Sequence, residues 1–282
     1  MRSLVLALLC ALAACATMNR LAAVDAEAWA RWEAHDPTSR RTVDHAAWDA
    51  FLAKYLRPGR DGIARLAYSE VDEADKAALT AYVASLAAVP VSSLARPEQF
   101  AFWVNLHNAL VVRTVLEHEP VSDIRDIGLS RGIVARGPFH AKLVNVEGEA
   151  VSLDDISRRI LRPLWRDPRV HYALCLGAVG GPNLQSRAFT AANAPDLMAA
   201  GGRDFVNHPR GVRMRGGTAE VSSLYFLYQA DFGGGERGVV AHLRRFARPE
   251  LGARLARLDD LRDRGFDWTL NEAAFAPAEP SQ

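Results

Sequence analysis

The sequence predicts an α+β protein, with helices in its first part and a small mixed or antiparallel sheet in its C-terminal half. Segments with the apolar spacing of helices dominate up to residue 118, and short runs typical of strands begin near residue 143. The chain has 282 residues, of which 49% are hydrophobic, which is ordinary for a globular domain with a large core.

The helices of the first part are predicted from apolar spacing and from the prolines that flank them. They cover residues 44–56 and 71–88 and a buried central helix, 98–118. Pro97 opens this central helix, near the first turn, where proline is favoured, and Pro120 follows its end.

Short strands and helices alternate in the second part. The predicted strands are 143–146, 170–176, 212–214, 219–222 and 266–270, and the predicted helices are 152–161, 195–206, 224–230 and 238–246. The run from Val170 to Leu176 is interpreted as a buried strand because it is almost entirely apolar. A hairpin is expected around Gly216-Gly217.

The N-terminus has the pattern of an export signal. One positive charge, Arg2, precedes an apolar run from Leu4 to Ala14 that is too short for a membrane-spanning helix. The run ends in Leu-Ala-Ala followed by Cys15, which resembles the lipobox of bacterial lipoproteins. We therefore predict that Cys15 carries a lipid anchor. The alternative is a plain signal peptide in which Cys15 is incidental.

These features divide the chain into a signal peptide at 1–14, a tether at 15–40, a domain at 41–275 and a tail at 276–282. Ala16 follows the cysteine, without the aspartate that is associated with retention in the inner membrane. The resemblance to lipoproteins therefore implies the outer membrane, facing the periplasm, as the location of the protein in the cell envelope.

Charge and motifs exclude several classes of partner. The formal net charge is +1, which argues against a dedicated nucleic-acid-binding protein. The glycine-rich segment after residue 176 lacks the Gly-Lys-Ser/Thr of a phosphate loop. The sequence has neither metal-ligand spacing nor a Gly-x-Ser-x-Gly elbow. We predict no cofactor and no metal.

The central helix carries polar residues through an apolar run. Glu98 and Asn105 lie seven positions apart, and Asn108 continues the same stripe. Such a stripe forms either the wall of a site or a set of structural amides that bind neighbouring loops, and the second interpretation is favoured for both asparagines. His107 is expected to point elsewhere and to be partly exposed.

Cys175 is the one thiol that remains after export and acylation, so the mature chain has no intramolecular disulfide. In strand geometry His171 would lie on the same face but roughly 13 Å away, too far for direct proton transfer. Cys175 is therefore interpreted as an inert core residue.

A series of motifs, in order, resembles the DUF547 family, a domain family of unknown function, over roughly residues 42–275. The matching pieces include Phe102-Trp103-Val104-Asn105-Leu106-His107-Asn108, Pro120-Val121-Ser122-Asp123, Ile160-Leu161-Arg162, Asp167-Pro168-Arg169-Val170-His171, Gly181-Pro182-Asn183 and Asp231-Phe232-Gly233. The family usually has Asn-Cys, four residues and Cys-Pro, but this chain has Leu176 and Gly181 at the two cysteine positions. It also has Ser157-Arg158 where the family tends toward Glu-His.

The resemblance leaves two functions open. The missing cysteines favour a non-catalytic binding or scaffold protein of the cell envelope. The alternative is a hydrolase or acyltransferase, related to cysteine peptidases or transglutaminases, that would use His171 and the surviving carboxylates. The candidate pocket residues are Glu98, Asn105, Asn108, His171 and Asn183. Their convergence on one open cleft would favour a ligand or enzyme site, and pairing of each with backbone would favour a scaffold.

Overall fold

The computed structural model describes residues 27–130, 136–258 and 260–275. Helices dominate its first half, and hairpins alternate with short helices in its second half, which confirms the α+β class. The predicted signal peptide, Cys15 and the tail 276–282 lie outside the described residues. None of the helices in the described ranges is both long and apolar enough to cross a membrane.

Three main helices form the first half: α1 (Ala46–Tyr55), α2 (Glu73–Ala87) and α3 (Arg96–Leu116). They agree with the predicted helices to within two residues at either end. Asp72 begins α2 by accepting a hydrogen bond from the backbone N–H of Asp75, and Pro97 lies in the first turn of α3. A short hairpin of β1 (Leu56–Pro58) and β2 (Ala64–Leu66) follows α1 and was not predicted, because strands of three residues show no alternation.

The core is built around α3. Every residue from 98 to 112 is buried, so this helix is surrounded by protein on all sides, as its apolar composition predicts. One surface of it contacts the segment that was predicted to be a tether. The rings of Trp32 and Trp103 lie 4.9 Å apart, and Trp32 is only 2% exposed. The described part of the predicted tether therefore belongs to the packed domain from Trp29 onward.

The second half contains two further sheets. The strands are β3 (Lys142–Val146) and β4 (Glu149–Ser152), then β5 (Val212–Arg215), β6 (Thr218–Val221) and β7 (Leu261–Asp263). β5 and β6 form the hairpin expected around Gly216, whose φ of 59° requires glycine-like freedom. β7 pairs parallel to β6, so this sheet is mixed.

The helical segments of this half are a π-helix (Asp155–Leu161) that continues into α4 (Arg162–Trp165), and α5 (Val170–Ala173), α6 (Ala194–Val206), α7 (Ser223–Leu227), α8 (Gly235–Phe246) and α9 (Pro249–Leu255). The predicted strand at 266–270 is not formed as such. Only Thr269 and Leu270 make isolated bridges, which pair with Asp123 and Ala178.

The predicted strand from Val170 to Leu176 is wrong in its first half. Residues Val170–Ala173 form the helical turn α5, and the chain is extended only from Leu174. Asp167 initiates the turn, since its carboxylate accepts a hydrogen bond from the N–H of Arg169 at 2.9 Å. A short apolar run suits a buried helical turn as well as a buried strand, and only this flanking signal separates them.

Helix α5 lies where two hydrophobic clusters meet. Val170 and Ala173 belong to the larger cluster around α3, whereas Tyr172 belongs to a smaller cluster formed with α6, α7 and α8. The Tyr172 hydroxyl lies 2.8 Å from Nε2 of His242. His171 is therefore placed at the boundary between the two clusters.

Candidate functional site

Two of the predicted pocket residues on α3 bind backbone groups of other segments. A carboxylate oxygen of Glu98 accepts a hydrogen bond from the N–H of Val43 at 2.7 Å. The Asn105 side chain donates to the carbonyl of Phe189 at 2.8 Å and accepts from its N–H at 2.9 Å. Both residues are buried, so each satisfies backbone groups that would otherwise lack partners.

Asn108 does the same one turn further along α3. It donates to the carbonyl of Ala173 at 2.9 Å and accepts from the N–H of Cys175 at 2.8 Å, which holds the extended chain after α5. The adjacent His107 is only 1% exposed, so its predicted partial exposure is wrong. Burial lowers the pKa of His107 to about 4, so its ring is neutral at pH 7.

Asn183 lies in a different part of the molecule. Its side-chain oxygen accepts from the N–H of Ala64 at 2.8 Å and from Arg210 at 2.6 Å, and its amide donates to the carbonyl of Gly62 at 3.0 Å. It fixes the β1–β2 hairpin. Of the five predicted pocket residues, only His171 lines the cavity beside α5.

A cavity of about 330 Å³ opens beside α5. Its volume is at the lower end of the range of small-molecule sites, which is roughly 300–1,000 Å³. Its charged or polar lining residues are His107, Arg125, Arg136, His140, Asp154, Ser157, Arg158, Arg162 and His171. Its apolar and aromatic lining residues are Phe139, Leu153, Leu174, Leu176, Leu224, Leu227, Tyr228, Phe266 and Trp268.

His171 is oriented by a carboxylate. Its Nε2 lies 2.7 Å from Oδ2 of Asp231, and its ring centroid lies 4.4 Å from that of Tyr228. Burial lowers the pKa of His171, although the contact with Asp231 opposes this effect. Burial alone would raise the pKa of Asp231, but hydrogen bonds from His171 and Arg162 outweigh it and lower the pKa to about 2.

Arg162 shares the same carboxylate. Its Nε donates to Oδ2 of Asp231 at 2.5 Å and its Nη2 to Oδ1 at 3.1 Å, while its guanidinium lies 4.4 Å from the ring centroid of Tyr228. The side chain is only 6% exposed. The remaining nitrogen, Nη1, is buried and has no hydrogen-bond partner among the described residues. The cavity wall therefore contains an ordered cation with free donors.

Two further arginines of the wall are paired with carboxylates. Arg125 binds Asp123 with Nη2 at 2.5 Å and lies 5.1 Å from the ring centroid of Trp268. Asp154 contacts both His140, at 2.5 Å, and Arg158, at 3.2 Å. Four arginines line the described part of the cavity, and three carboxylates contact them. They are Arg125, Arg136, Arg158 and Arg162, against Asp123, Asp154 and Asp231.

Cys175 does not line the cavity. It is 2% exposed, and burial raises the pKa of its thiol to about 11, so the thiol is protonated at neutral pH. Leu176, at the first family cysteine position, does line the cavity. A Cβ atom on Gly181, at the second position, would lie 3.6 Å from Cβ of Leu176. This is within the separation that a disulfide requires.

The described residues contain no group of three or more histidine, cysteine, aspartate or glutamate side chains that could hold a metal ion.

The fold and the cavity define an α+β domain that is built around one buried helix and that has a basic, largely apolar pocket. Residues 91–206 match the family model described as "Protein of unknown function, DUF547", which confirms over these residues the resemblance that the sequence motifs indicated. No curated protein and no solved structure matched the chain.

The matched segment holds only part of the cavity. His171, Arg162 and Leu176 lie within it, whereas Asp231 and Trp268 lie beyond its end. Sequence reasoning did not select Arg162 or Asp231 as site residues. Both occur in motifs that resemble the family, Ile-Leu-Arg and Asp-Phe-Gly, and this was the signal that could have found them.

Proposed function

We propose that this protein is a lipid-anchored protein of the cell envelope whose DUF547 region binds a small molecule without catalysis. The observation that carries the proposal is the cavity at α5, in which an ordered arginine and a histidine–carboxylate pair line one space with leucine and aromatic side chains. Binding sites for small molecules combine apolar walls with a few convergent polar groups in this way.

The chemistry of the thiol supports a binding role over a thiol-dependent enzyme. A nucleophilic cysteine needs a thiolate and an adjacent base. Cys175 is buried with a raised thiol pKa, and Leu176 lies in the cavity wall where the family has a cysteine. We expect iodoacetamide at neutral pH to leave Cys175 of the native protein unlabelled. Rapid and saturable labelling would contradict the proposal.

The binding role is tested by a thermal-shift screen of small molecules against the protein and two variants. Leu227 lines the cavity and is 42% exposed, so Leu227→Trp narrows the space without disturbing the core. Leu129, which is 38% exposed and does not line the cavity, gives the matched control Leu129→Trp. Compounds that bind in the cavity should raise the Tm of the protein and of the control but not of Leu227→Trp. A screen without such compounds would contradict the proposal.

A hydrolase or acyltransferase is the second candidate, and the contact between His171 and Asp231 favours it. A histidine oriented by a carboxylate is the arrangement of a general base, and Ser157 lines the same cavity. This candidate predicts turnover of p-nitrophenyl acetate or of an activated amide that is lost in His171→Gln. A rate that His171→Gln leaves unchanged would eliminate it.

The lipid anchor is a separate part of the proposal and rests on the Leu-Ala-Ala-Cys15 string after the apolar run. Acylation at Cys15 would hold the protein at the outer membrane, facing the periplasm. Cys15→Ser should abolish incorporation of labelled palmitate and release the protein from the membrane fraction or stall its processing. Unchanged fractionation of this variant would contradict the anchor and leave the binding role unaffected.

A further inference from the structure

We infer that the ligand of the α5 cavity has an apolar body with one anionic oxygen group, and that Arg162 holds this group. The inference rests on the proposed function, since it takes the cavity to be a ligand site. It names the ligand by the chemistry that the wall can recognise.

The first argument is the hydrogen bonding of Arg162. Asp231 occupies Nε and Nη2 and fixes the plane of the guanidinium, while Tyr228 covers one face of it. Nη1 carries two further N–H donors, and these are buried without a partner among the described residues. Buried donors on a charged group are costly to leave unsatisfied, and an anionic oxygen is the acceptor that such a group binds best.

The second argument is the balance of charge. Four arginines line the described wall, and three carboxylates contact them, which leaves one positive charge among these seven groups. Burial keeps the pKa of His107 and of His171 below the usual value, so neither ring adds a charge at pH 7. One negative charge on the ligand would balance the wall, and this favours a carboxylate over a doubly charged phosphate ester.

The third argument is the remainder of the wall. Trp268 lies between Phe266, at a centroid distance of 4.5 Å, and Phe139, at 6.0 Å, and these rings face the same space as five leucines. A bare inorganic anion would leave this apolar surface in contact with water. A flat or aliphatic body attached to the anionic group would cover it.

The test uses four naphthalene probes that differ only in the attached group. The affinity of the full-length protein for each probe is measured by isothermal titration calorimetry. The probes are 2-naphthoate, 2-naphthyl phosphate, 2-naphthamide and 2-naphthylmethylamine. We expect 2-naphthoate to bind at least about tenfold more tightly than the neutral amide, because it alone supplies a singly charged acceptor to Nη1. This comparison needs no variant.

Two variants then locate the anion. Arg162→Lys keeps the charge and a contact with Asp231 but loses the planar fork, so it should weaken 2-naphthoate about tenfold and leave the amide unchanged. Arg169→Lys is the matched control, since Arg169 binds Asp167 through Nε and Nη2 in the same way but does not line the cavity. An equal loss in both variants would overturn the role of Arg162.

The other outcomes are also decisive. If the amide binds as tightly as 2-naphthoate, or if the amine binds more tightly, the inference that the ligand carries an anionic group is wrong. The proposed binding role is not affected by this result. If 2-naphthyl phosphate binds more tightly than 2-naphthoate, the inference that the ligand carries a single negative charge is wrong. Failure of all four probes would overturn this inference, and the proposed function would still be judged by the wider screen with Leu227→Trp.

Discussion

At the scale of single residues, Asn105 shows how one buried amide holds two distant segments together. Its partner Phe189 is 84 positions away, and both hydrogen bonds go to the backbone of that residue. The sequence predicts that an amide inside such an apolar helix must be satisfied, but not by which segment. A buried asparagine needs hydrogen-bond partners whether it lines a site or holds a neighbouring segment. The sequence therefore does not distinguish these two roles, and the structure does.

Replacing Asn105 by leucine should destabilise the domain. The backbone N–H and C=O of Phe189 would both lose their partner in the core, and each costs about 1–3 kcal/mol when left unsatisfied. We expect a loss of at least about 2 kcal/mol in the free energy of unfolding, measured by urea denaturation. Asn145→Leu, on an exposed position of β3, should change it little. An unchanged midpoint for Asn105→Leu would contradict the contact.

The positions of the two family cysteines allow a second prediction. Leu176 and Gly181 are close enough for a disulfide, because their Cβ atoms would be 3.6 Å apart. The double variant Leu176→Cys/Gly181→Cys should therefore form a disulfide under air oxidation rather than create a reactive thiol. In a background in which Cys10 and Cys15 are replaced by serine, a free-thiol count in denaturant should find one thiol, Cys175, in the oxidised double variant and two in each single variant. Three free thiols in the oxidised double variant would refute the geometry.

At the scale of elements, the accuracy of prediction depended on length. Helix α3 was predicted within two residues because its 21 residues are rich in apolar side chains and a proline lies at its start, and both features indicate a helix. The turn α5 has only four residues, and its apolar run does not distinguish helix from strand. The cavity lies beside α5, so the wrong structure predicted for this segment also left the neighbours of His171 in the cavity unidentified.

The partners of His171 could not be found from spacing. Asp231 is 60 positions away from His171 and 69 from Arg162, in the loop between α7 and α8. No periodicity relates such positions, since the fold alone brings them together. The two hydrophobic clusters that meet at α5 are joined by this contact, because Arg162 begins α4 and Asp231 precedes α8.

Removing the charge of Asp231 should therefore be costly. Asp231→Asn leaves Arg162 buried without a counter-charge, and breaking a buried pair on one side costs about 3–5 kcal/mol. The 23% exposure of the Asp231 side chain places the expected loss at the lower end of this range. Glu70→Gln, in the exposed pair with Arg57, is the control and should have no measurable effect on urea unfolding. Equal midpoints for the two variants would contradict this role.

At the scale of the whole molecule, buried neutral histidines should make the fold sensitive to acid. Burial lowers the pKa values of His45, His107 and His242 to about 4 each, against about 6.5 in the unfolded chain. Between these values the unfolded state binds more protons, so the stabilisation is complete above about pH 6.5 and is lost as the pH falls through about 4.

Near pH 5 each of these histidines should contribute about 1.4 kcal/mol per pH unit to the slope of stability. Urea unfolding at pH 7, 6 and 5 should show a steep decline in the free energy of unfolding toward the lowest pH. His107→Gln should reduce this slope by about 1.4 kcal/mol per pH unit near pH 5, because it removes one of the groups that produce it. A stability that is constant from pH 7 to pH 5 would show that these rings are protonated in the folded state.

The contact of the N-terminal tryptophans with the core also sets a length. The backbone N–H of Trp29 donates to the carbonyl of Arg159 at 2.9 Å, and Trp32 packs on α3, so the packed domain includes the chain from residue 29 and not only from residue 41. If Cys15 is acylated as proposed, the fourteen peptide units up to Trp29 reach at most about 50 Å when fully extended. The domain would then sample only a thin layer next to the bilayer, and its cavity would meet ligands at their concentration in that layer rather than in the bulk compartment.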